Sequence, residues 1–194
     1  KKFANSKKKI HKSAKSIFLL NQIHSNKFVY VDDKYKSKRK PKADAIITNQ
    51  KNLPIAILTA DCVPILICDN KKNMIAAIHA GWKSAYKDIV KRVIKFMIKK
   101  GCKPDNITAV IGPCISIKNY EVKQDFIKKF MKKDKKNEIF FKKIKNKNYF
   151  SLSKYIYFQL KSQNIKNIGL INKDTFDIKN NFFSARRSNS RNEN

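Results

Sequence analysis

The chain is poor in the residues that usually divide a protein or announce its function. Glycine occurs four times in 194 residues. No Gly/Ser-rich stretch and no repeat period interrupts the sequence, so nothing marks a linker or a solenoid. The expectation is one domain over residues 1–194, long enough to bury a core. The four cysteines, Cys62, Cys68, Cys102 and Cys114, form no CxxC pair, which argues against a zinc ribbon or a dithiol redox motif. They are too sparse for a disulfide scaffold, and a reducing cytoplasm is the expected compartment. No apolar run approaches the roughly 18 residues of a membrane span. The basic stretch Lys1 to Ser16 has neither the apolar core nor the cleavage site of a secretory signal.

Acidic residues are also few: 14 Asp+Glu stand against 45 Lys+Arg, a formal charge of +31. Such a balance invites a nucleic-acid reading, since Lys and Arg neutralise phosphates and release counterions. Arginine, however, supplies only five of the 45 basic residues, and it is Arg whose planar fork reads bases and binds bidentately. Lys, Ile and Asn together make 86 of the 194 residues. These three share A/T-rich codons, so a biased genome inflates them without selection for a polyanion. The charge reads as a compositional background, and a specific nucleic-acid partner is not expected. With 42% hydrophobic and 11% aromatic residues, a disordered basic chain is not expected either.

What is present alternates strand-like and helix-like segments, an α+β arrangement with central strands and helices outside. Strands are predicted at 17–20, 28–31, 45–48, 55–61, 65–68, 74–79, 107–111, 168–171 and 182–184. Several of these are β-branched and nearly continuous, as strands covered on both faces are. Helices are predicted from Ser84, as N-cap, to Gly101, around 124–132 and over 152–163.

Histidine is the scarcest candidate catalyst, with His11, His24 and His79 only. His24 and His79 lie at the ends of strand-like runs, and Cys62 lies at another, where a sheet fixes position and a loop leaves access. Two imidazoles and a thiolate are three good zinc ligands with a fourth position open. The same atoms also suit a Cys62 nucleophile activated by His79, or simply a buried thiol and two structural histidines. His79-Ala80-Gly81-Trp82 combines small residues that admit close backbone approach with a ring able to wall a pocket. Arg186-Arg187 suits phosphate or carboxylate, or else a solvated tail.

Several motifs occur in a fixed order: Gln22-Ile23-His24-Ser25, Ala43-Asp44-Ala45, Thr59-Ala60-Asp61-Cys62-Val63-Pro64, His79-Ala80-Gly81-Trp82, Ile111-Gly112-Pro113-Cys114-Ile115, Tyr120-Glu121-Val122 and Phe183-Ser184-Ala185-Arg186-Arg187. In this set the chain resembles the YfiH family, also called the laccase-domain or multicopper polyphenol oxidase family and the peptidoglycan editing factor family. The resemblance implies a four-layer α/β/β/α sandwich with mixed sheets, shared with a cysteine-dependent toxin deamidase. It implies one metal, zinc with copper as the alternative, on His24, Cys62 and His79. It also implies purine nucleoside phosphorolysis (adenosine, inosine, guanosine, methylthioadenosine) and adenosine deamination. Peptidoglycan-precursor editing and copper-dependent phenol oxidation have also been attributed to the family. Three features depart from the family pattern: Lys83-Ser84 stands for Arg-Gly, Asp174-Thr175 stands for Cys-Thr, and strands ahead of the first histidine are expected to be missing.

The expected function is thus a zinc-dependent purine nucleoside phosphorylase with adenosine deaminase activity, its partners being purine nucleosides and phosphate. In this reading Asp61 carries the proton in deamination, Trp82 stacks on the base, and Lys83, Arg186 and Arg187 place phosphate. Two rivals are a metal-free cysteine hydrolase using Cys62 and His79, and a basic nucleic-acid-binding module. Copper oxidation is the least attractive, because multicopper sites need more histidines than three.

Overall fold

The computed structural model describes residues 17–37 and 39–192; His11 and the basic start of the chain lie outside them. Nine strands are named among these residues: β1 Phe28–Val31, β2 Ala45–Thr48, β3 Val63–Asp69, β4 Met74–Ala80, β5 Ile107–Ile111, β6 Glu121–Val122, β7 Phe141–Ile144, β8 Lys147–Phe150 and β9 Asn167–Leu170. Six form a mixed sheet in the order β1-β2-β4-β3-β5-β9, and three form a small antiparallel sheet, β6-β8-β7. The helices are α1 Trp82–Tyr86, α2 Ile89–Lys99, α3 Gln124–Lys133, α4 Leu152–Lys161 and α5 Ala185–Asn192. The fold is mixed α/β, built on one mixed sheet and one antiparallel sheet.

The period-two rule decides which sheet face is the core. Along β3, Val63, Ile65 and Ile67 are buried whereas Leu66 is 57% exposed. The buried face joins Ile47, Ile78 and Ile111 to the apolar stripe of α2 (Ile89, Val90, Val93, Ile94, Met97) and to Ile156 and Leu160 of α4. That stripe recurs at one-turn spacing, which is why the helix lies flat on the sheet. A smaller cluster, Leu20, Val31, Ala43 and Ile46, is packed by Phe18, Leu53 and Ile55.

Five local expectations are corrected. The 55–61 run pairs only through an isolated Phe18–Ile55 bridge; its apolar residue Ile55 serves the smaller cluster, and Leu58 N–H donates to Gln22 Oε1 at 2.8 Å. At 17–20, likewise, the only pairing is that bridge at Phe18. Ser84 is not an N-cap but sits buried inside α1, which starts after Gly81. The predicted helix is broken at Asp88, whose φ of 62° is left-handed, a conformation Asp tolerates better than most residues. The break is satisfied from outside: Lys133 Nζ donates to the Tyr86 carbonyl and to Asp88 Oδ1, and Gln159 Nε2 donates to the Ala85 carbonyl. Finally, 182–184 is not a strand; it leads into α5.

The small sheet was not expected. Its β7–β8 hairpin turns at Lys145-Asn146, both at positive φ (45° and 61°), the geometry that matches strand twist. It supplies Phe141 and Phe150 to an aromatic cluster centred on Phe126 and Phe130. That cluster carries Trp82 on one side, edge-on to Phe126 at 5.1 Å, and Tyr120 on another at 6.4 Å.

Candidate active site

The topology brings distant residues to one end of the large sheet. Strands β1, β2 and β3 begin at this end, and β4, β5 and β9 finish there, as their pairing registers require. His24 precedes β1, Asp44 immediately precedes β2, Cys62 immediately precedes β3, and His79 is the penultimate residue of β4. One ligand atom from each of His24, Cys62 and His79 lies within 4.8 Å of the others. Cys62 Sγ stands 3.8 Å from His24 Nε2, and the two imidazoles meet edge-on at 4.8 Å between centroids.

Asp44 organises this group. It is fully buried, and its Oδ1 accepts from His24 N–H at 2.9 Å and lies 2.9 Å from His79 Nδ1. Oδ2 accepts from Ser25 N–H at 2.6 Å and Ser25 Oγ at 2.8 Å. Burial alone would raise the Asp44 carboxyl, but the hydrogen bonds from His79, Ser25 and the His24 amide hold it below its ordinary value. An acceptor-only carboxylate makes His79 Nδ1 the protonated nitrogen and leaves Nε2 with a free lone pair. The same carboxylate fixes the 23–25 turn, in which His24 has a φ of 55°. Burial lowers the pKa of His79 although Asp44 opposes it, so the ring is held in the neutral form that can act as a ligand.

Cys62 is pushed up to about 11, first by burial and then by the charges of Asp61 and Asp44. Unaided, it is a thiol at neutral pH, and a bound cation would stabilise the thiolate. The donor set, one sulfur and two imidazole nitrogens, fits zinc or another soft-to-borderline ion. Gly81 completes the cradle: a Cβ there would stand 2.8 Å from Cys62 Sγ and 2.9 Å from His24 Cδ2. Gly81→Ala is therefore expected to displace these ligands and weaken metal binding by about tenfold or more. Dye-competition titration measures this, with circular dichroism confirming that the fold is kept.

A cavity of about 220 Å³ adjoins the trio, lined by Asp61, Cys62, Ile115, Tyr120, Leu152 and Arg186 among others. Arg186 belongs to it; the Arg186 guanidinium lies 5.6 Å from the Tyr120 ring centroid and donates from Nη2 to the Glu121 carbonyl at 3.3 Å. The other expected binding residues are placed elsewhere. Trp82 and Lys83 do not line this cavity: Trp82 supports Phe126, and Lys83 Nζ lies 5.7 Å from the Trp82 ring. Arg187 donates to the carbonyls of Thr175, Phe176 and Phe182, which makes it a clasp for the C-terminal segment.

Asp61 lines the cavity, but its oxygens are engaged. Oδ1 accepts from Thr175 Oγ1 at 2.6 Å, and Oδ2 accepts from Ser184 Oγ at 3.0 Å and Arg186 N–H at 2.9 Å. Its evident task is to fasten α5 beside Cys62. Asp174, which departs from the family pattern, plays a similar part. It accepts from the Ser116 amide, Asn119 Nδ2 and the Phe176 amide, tying two loops together. Asp44 and Tyr120 are the residues whose roles sequence reasoning missed. An acid set between two alanines just ahead of an apolar run, in a chain with 14 acids, was the available signal for Asp44.

The family described as multi-copper polyphenol oxidoreductase laccase matches residues 2–192. The chain belongs to this family. It is 38% identical over 177 residues to a protein of Rickettsia prowazekii named purine nucleoside phosphorylase, covering 90% of this chain and 72% of that one. A protein of the same name from Haemophilus influenzae is 32% identical over 177 residues, covering 88% and 68%. The crystal structure of the YfiH protein of Bacillus licheniformis superposes with a TM-score of 0.84 at 26% identity, covering 96% of this chain and 74% of that one. Among the described residues, no helix is long and apolar enough to cross a membrane.

Proposed function

We propose that the chain is a zinc-dependent purine nucleoside phosphorylase that works as one YfiH-like domain, with His24 Nε2, Cys62 Sγ and His79 Nε2 as the metal ligands. The observation that carries this reading is the convergence of these three side chains beside the Cys62–Tyr120–Arg186 cavity. The names of the relatives support the choice of reaction. When bound, such an ion supplies a Lewis acid that places positive charge beside the reacting atoms.

In phosphorolysis a phosphate oxygen forms the bond to C1′ of the nucleoside. The electron pair of the C1′–N9 bond leaves with the purine, which takes the phosphate proton, giving free base and ribose 1-phosphate. The chain's own contribution is positional. Tyr120 and Ile115 offer faces for the planar base, Arg186 offers guanidinium donors to phosphate, and Asp61 anchors the backbone of Arg186. Inosine, adenosine, guanosine and methylthioadenosine are the substrates this reading assigns.

Hydrolytic deamination of adenosine is a secondary activity in this reading. The nearby carboxylate, Asp61, would have to release a hydrogen bond from Thr175, Ser184 or Arg186 to carry a proton. The cysteine-hydrolase alternative is disfavoured by the Cys62 thiol, which burial pushes up to about 11. The test is metal analysis combined with a nucleoside screen on one preparation. Bound zinc and phosphate-dependent release of purine base, both lost on chelation and restored on reloading, are expected. Chelator-resistant turnover would contradict the metal-dependent reading.

A further inference from the structure

A second cavity, of about 410 Å³, opens on the far side of Arg186, and its lining includes Lys118, Tyr149, Arg186 and Asn189. Arg186 and Asn189 line both cavities, so the two meet at α5. The cavity beside Cys62 is, at about 220 Å³, smaller than the roughly 300–1,000 Å³ usual for small-molecule sites. A reaction between two molecules needs the additional space.

The chambers differ in chemistry. Ile115, Leu152 and the Tyr120 ring give the first a largely apolar wall, suited to a base. The second carries two cations without a compensating free acid. Lys118 has no acidic partner among the described residues, and Arg186 makes one side-chain hydrogen bond, to the Glu121 carbonyl. Glu121, which lines the same chamber, is paired with Lys147 at 3.0 Å. Asn119 is committed to Asp174. The backbone of Arg186 is held by Asp61, next to Cys62, and its guanidinium is held by the Glu121 carbonyl and the Tyr120 ring where the two chambers meet.

We infer that this second chamber is the phosphate subsite, with Lys118 and Arg186 as its cationic donors and Tyr149 and Asn189 as neutral ones. The inference rests on the phosphorolytic reading and deepens it by locating the second reactant. An ammonium and a guanidinium suit a tetrahedral dianion, and charge-assisted hydrogen bonds are the strong ones. The phosphate group can come from inorganic phosphate or from the 5′ position of a nucleotide, and both present the same chemistry to these residues.

The experiment uses the zinc-loaded full chain. Inorganic phosphate binding is followed by ³¹P NMR without nucleoside, and phosphorolysis is followed at varied phosphate and varied inosine. Lys118→Gln is expected to raise both the phosphate Kd and the phosphate KM about tenfold, leaving the inosine KM within about twofold. Glu121→Gln removes a negative charge from the same chamber and is expected to lower the phosphate KM about threefold. Lys91→Gln, on the exposed face of α2, controls for the general positive charge and is expected to shift neither.

A parallel arm compares inosine with inosine 5′-monophosphate as competitors. Tighter binding of the monophosphate that is lost in Lys118→Gln, with inorganic phosphate unaffected, assigns the subsite to the 5′-phosphate. If Lys118→Gln and Glu121→Gln move neither ligand, the subsite is overturned. Phosphate binding that weakens in Lys118→Gln although no variant phosphorolyses inosine would keep the subsite and remove the phosphorylase reading. Active phosphorolysis with unshifted phosphate constants would do the reverse.

Discussion

Cys62→Ala protein is expected to purify without zinc and to release purine base at least about a thousandfold more slowly than the parent, equivalent to roughly 4 kcal/mol of transition-state stabilisation. The reason is electrostatic as much as geometric. Cys62 is the only thiol in the trio, and its thiolate would be the one negative charge directly on a divalent ion held there. Two neutral imidazoles remain after the substitution, and structural zinc sites show how much of their affinity depends on sulfur. The same variant would also inactivate a cysteine nucleophile, so metal content is the discriminating readout. In the metal-holding chain, zinc protects Cys62 from alkylation and a chelator exposes it to the reagent. An unchanged zinc content in Cys62→Ala would exclude the thiolate as a ligand.

Asp44→Asn is expected to lower zinc affinity by about 10- to 100-fold while leaving all three ligands in the sequence. Asp44 offers two acceptor oxygens, and both are used, by the His24 amide and His79 on one and by Ser25 on the other. Asn can present only one oxygen. If that oxygen faces Ser25, its amide N–H meets His79 Nδ1, which drives the ring to the Nε2–H tautomer and withdraws the ligand lone pair. If it faces His79, the 23–25 turn loses its acceptor and His24 is released. Asp44→Ala removes the acceptor altogether and is expected to cost on the order of 3 kcal/mol of stability, as the loss of a buried charged partner does. Nitrogen-15 spectra of the histidines would report the tautomer, and a competing dye the affinity. Wild-type affinity in Asp44→Asn, with His79 still protonated on Nδ1, would remove Asp44 from this role.

Much of this site can be read from the sequence because it depends on strand ends. The apolar runs of β3, β4 and β5 are unmistakable, so residues at their ends, such as Cys62 and His79, stand out. Asp44 did not receive its role because that role depends on register. Ala45 opposes Ile78, which sets Asp44 beside His79, and the His79 amide donates to the Asp44 carbonyl at 2.8 Å. No local pattern encodes that pairing. The 55–61 run misleads for a related reason: Ile55 packs in the smaller cluster and Leu58 is exposed, and the run forms no ladder. The β7–β8 hairpin was concealed by lysines on its exposed positions, although the Lys145-Asn146 turn is its local signature.

The binding residues divide along similar lines. Arg186 and Arg187 are adjacent in sequence, yet one faces the cavity and the other is held by three carbonyls. Trp82 belongs to the His79-Ala80-Gly81-Trp82 motif but packs on the aromatic cluster. Adjacency to a motif identifies the neighbourhood, and the helix and loop geometry decides which side chain reaches the reactants. The high positive charge follows the same logic. Most lysines lie on exposed positions, and only those beside the cavities, with Lys118 foremost, are assigned a chemical task.

The most direct test of the account is to follow labelled inorganic phosphate during turnover. Zinc-loaded chain is incubated with inosine and ³²P-phosphate, and the sugar product is isolated. The account predicts that hypoxanthine and labelled ribose 1-phosphate appear in equal amounts. Hypoxanthine accompanied by unlabelled free ribose, or no base release from a chain carrying stoichiometric zinc, would contradict it.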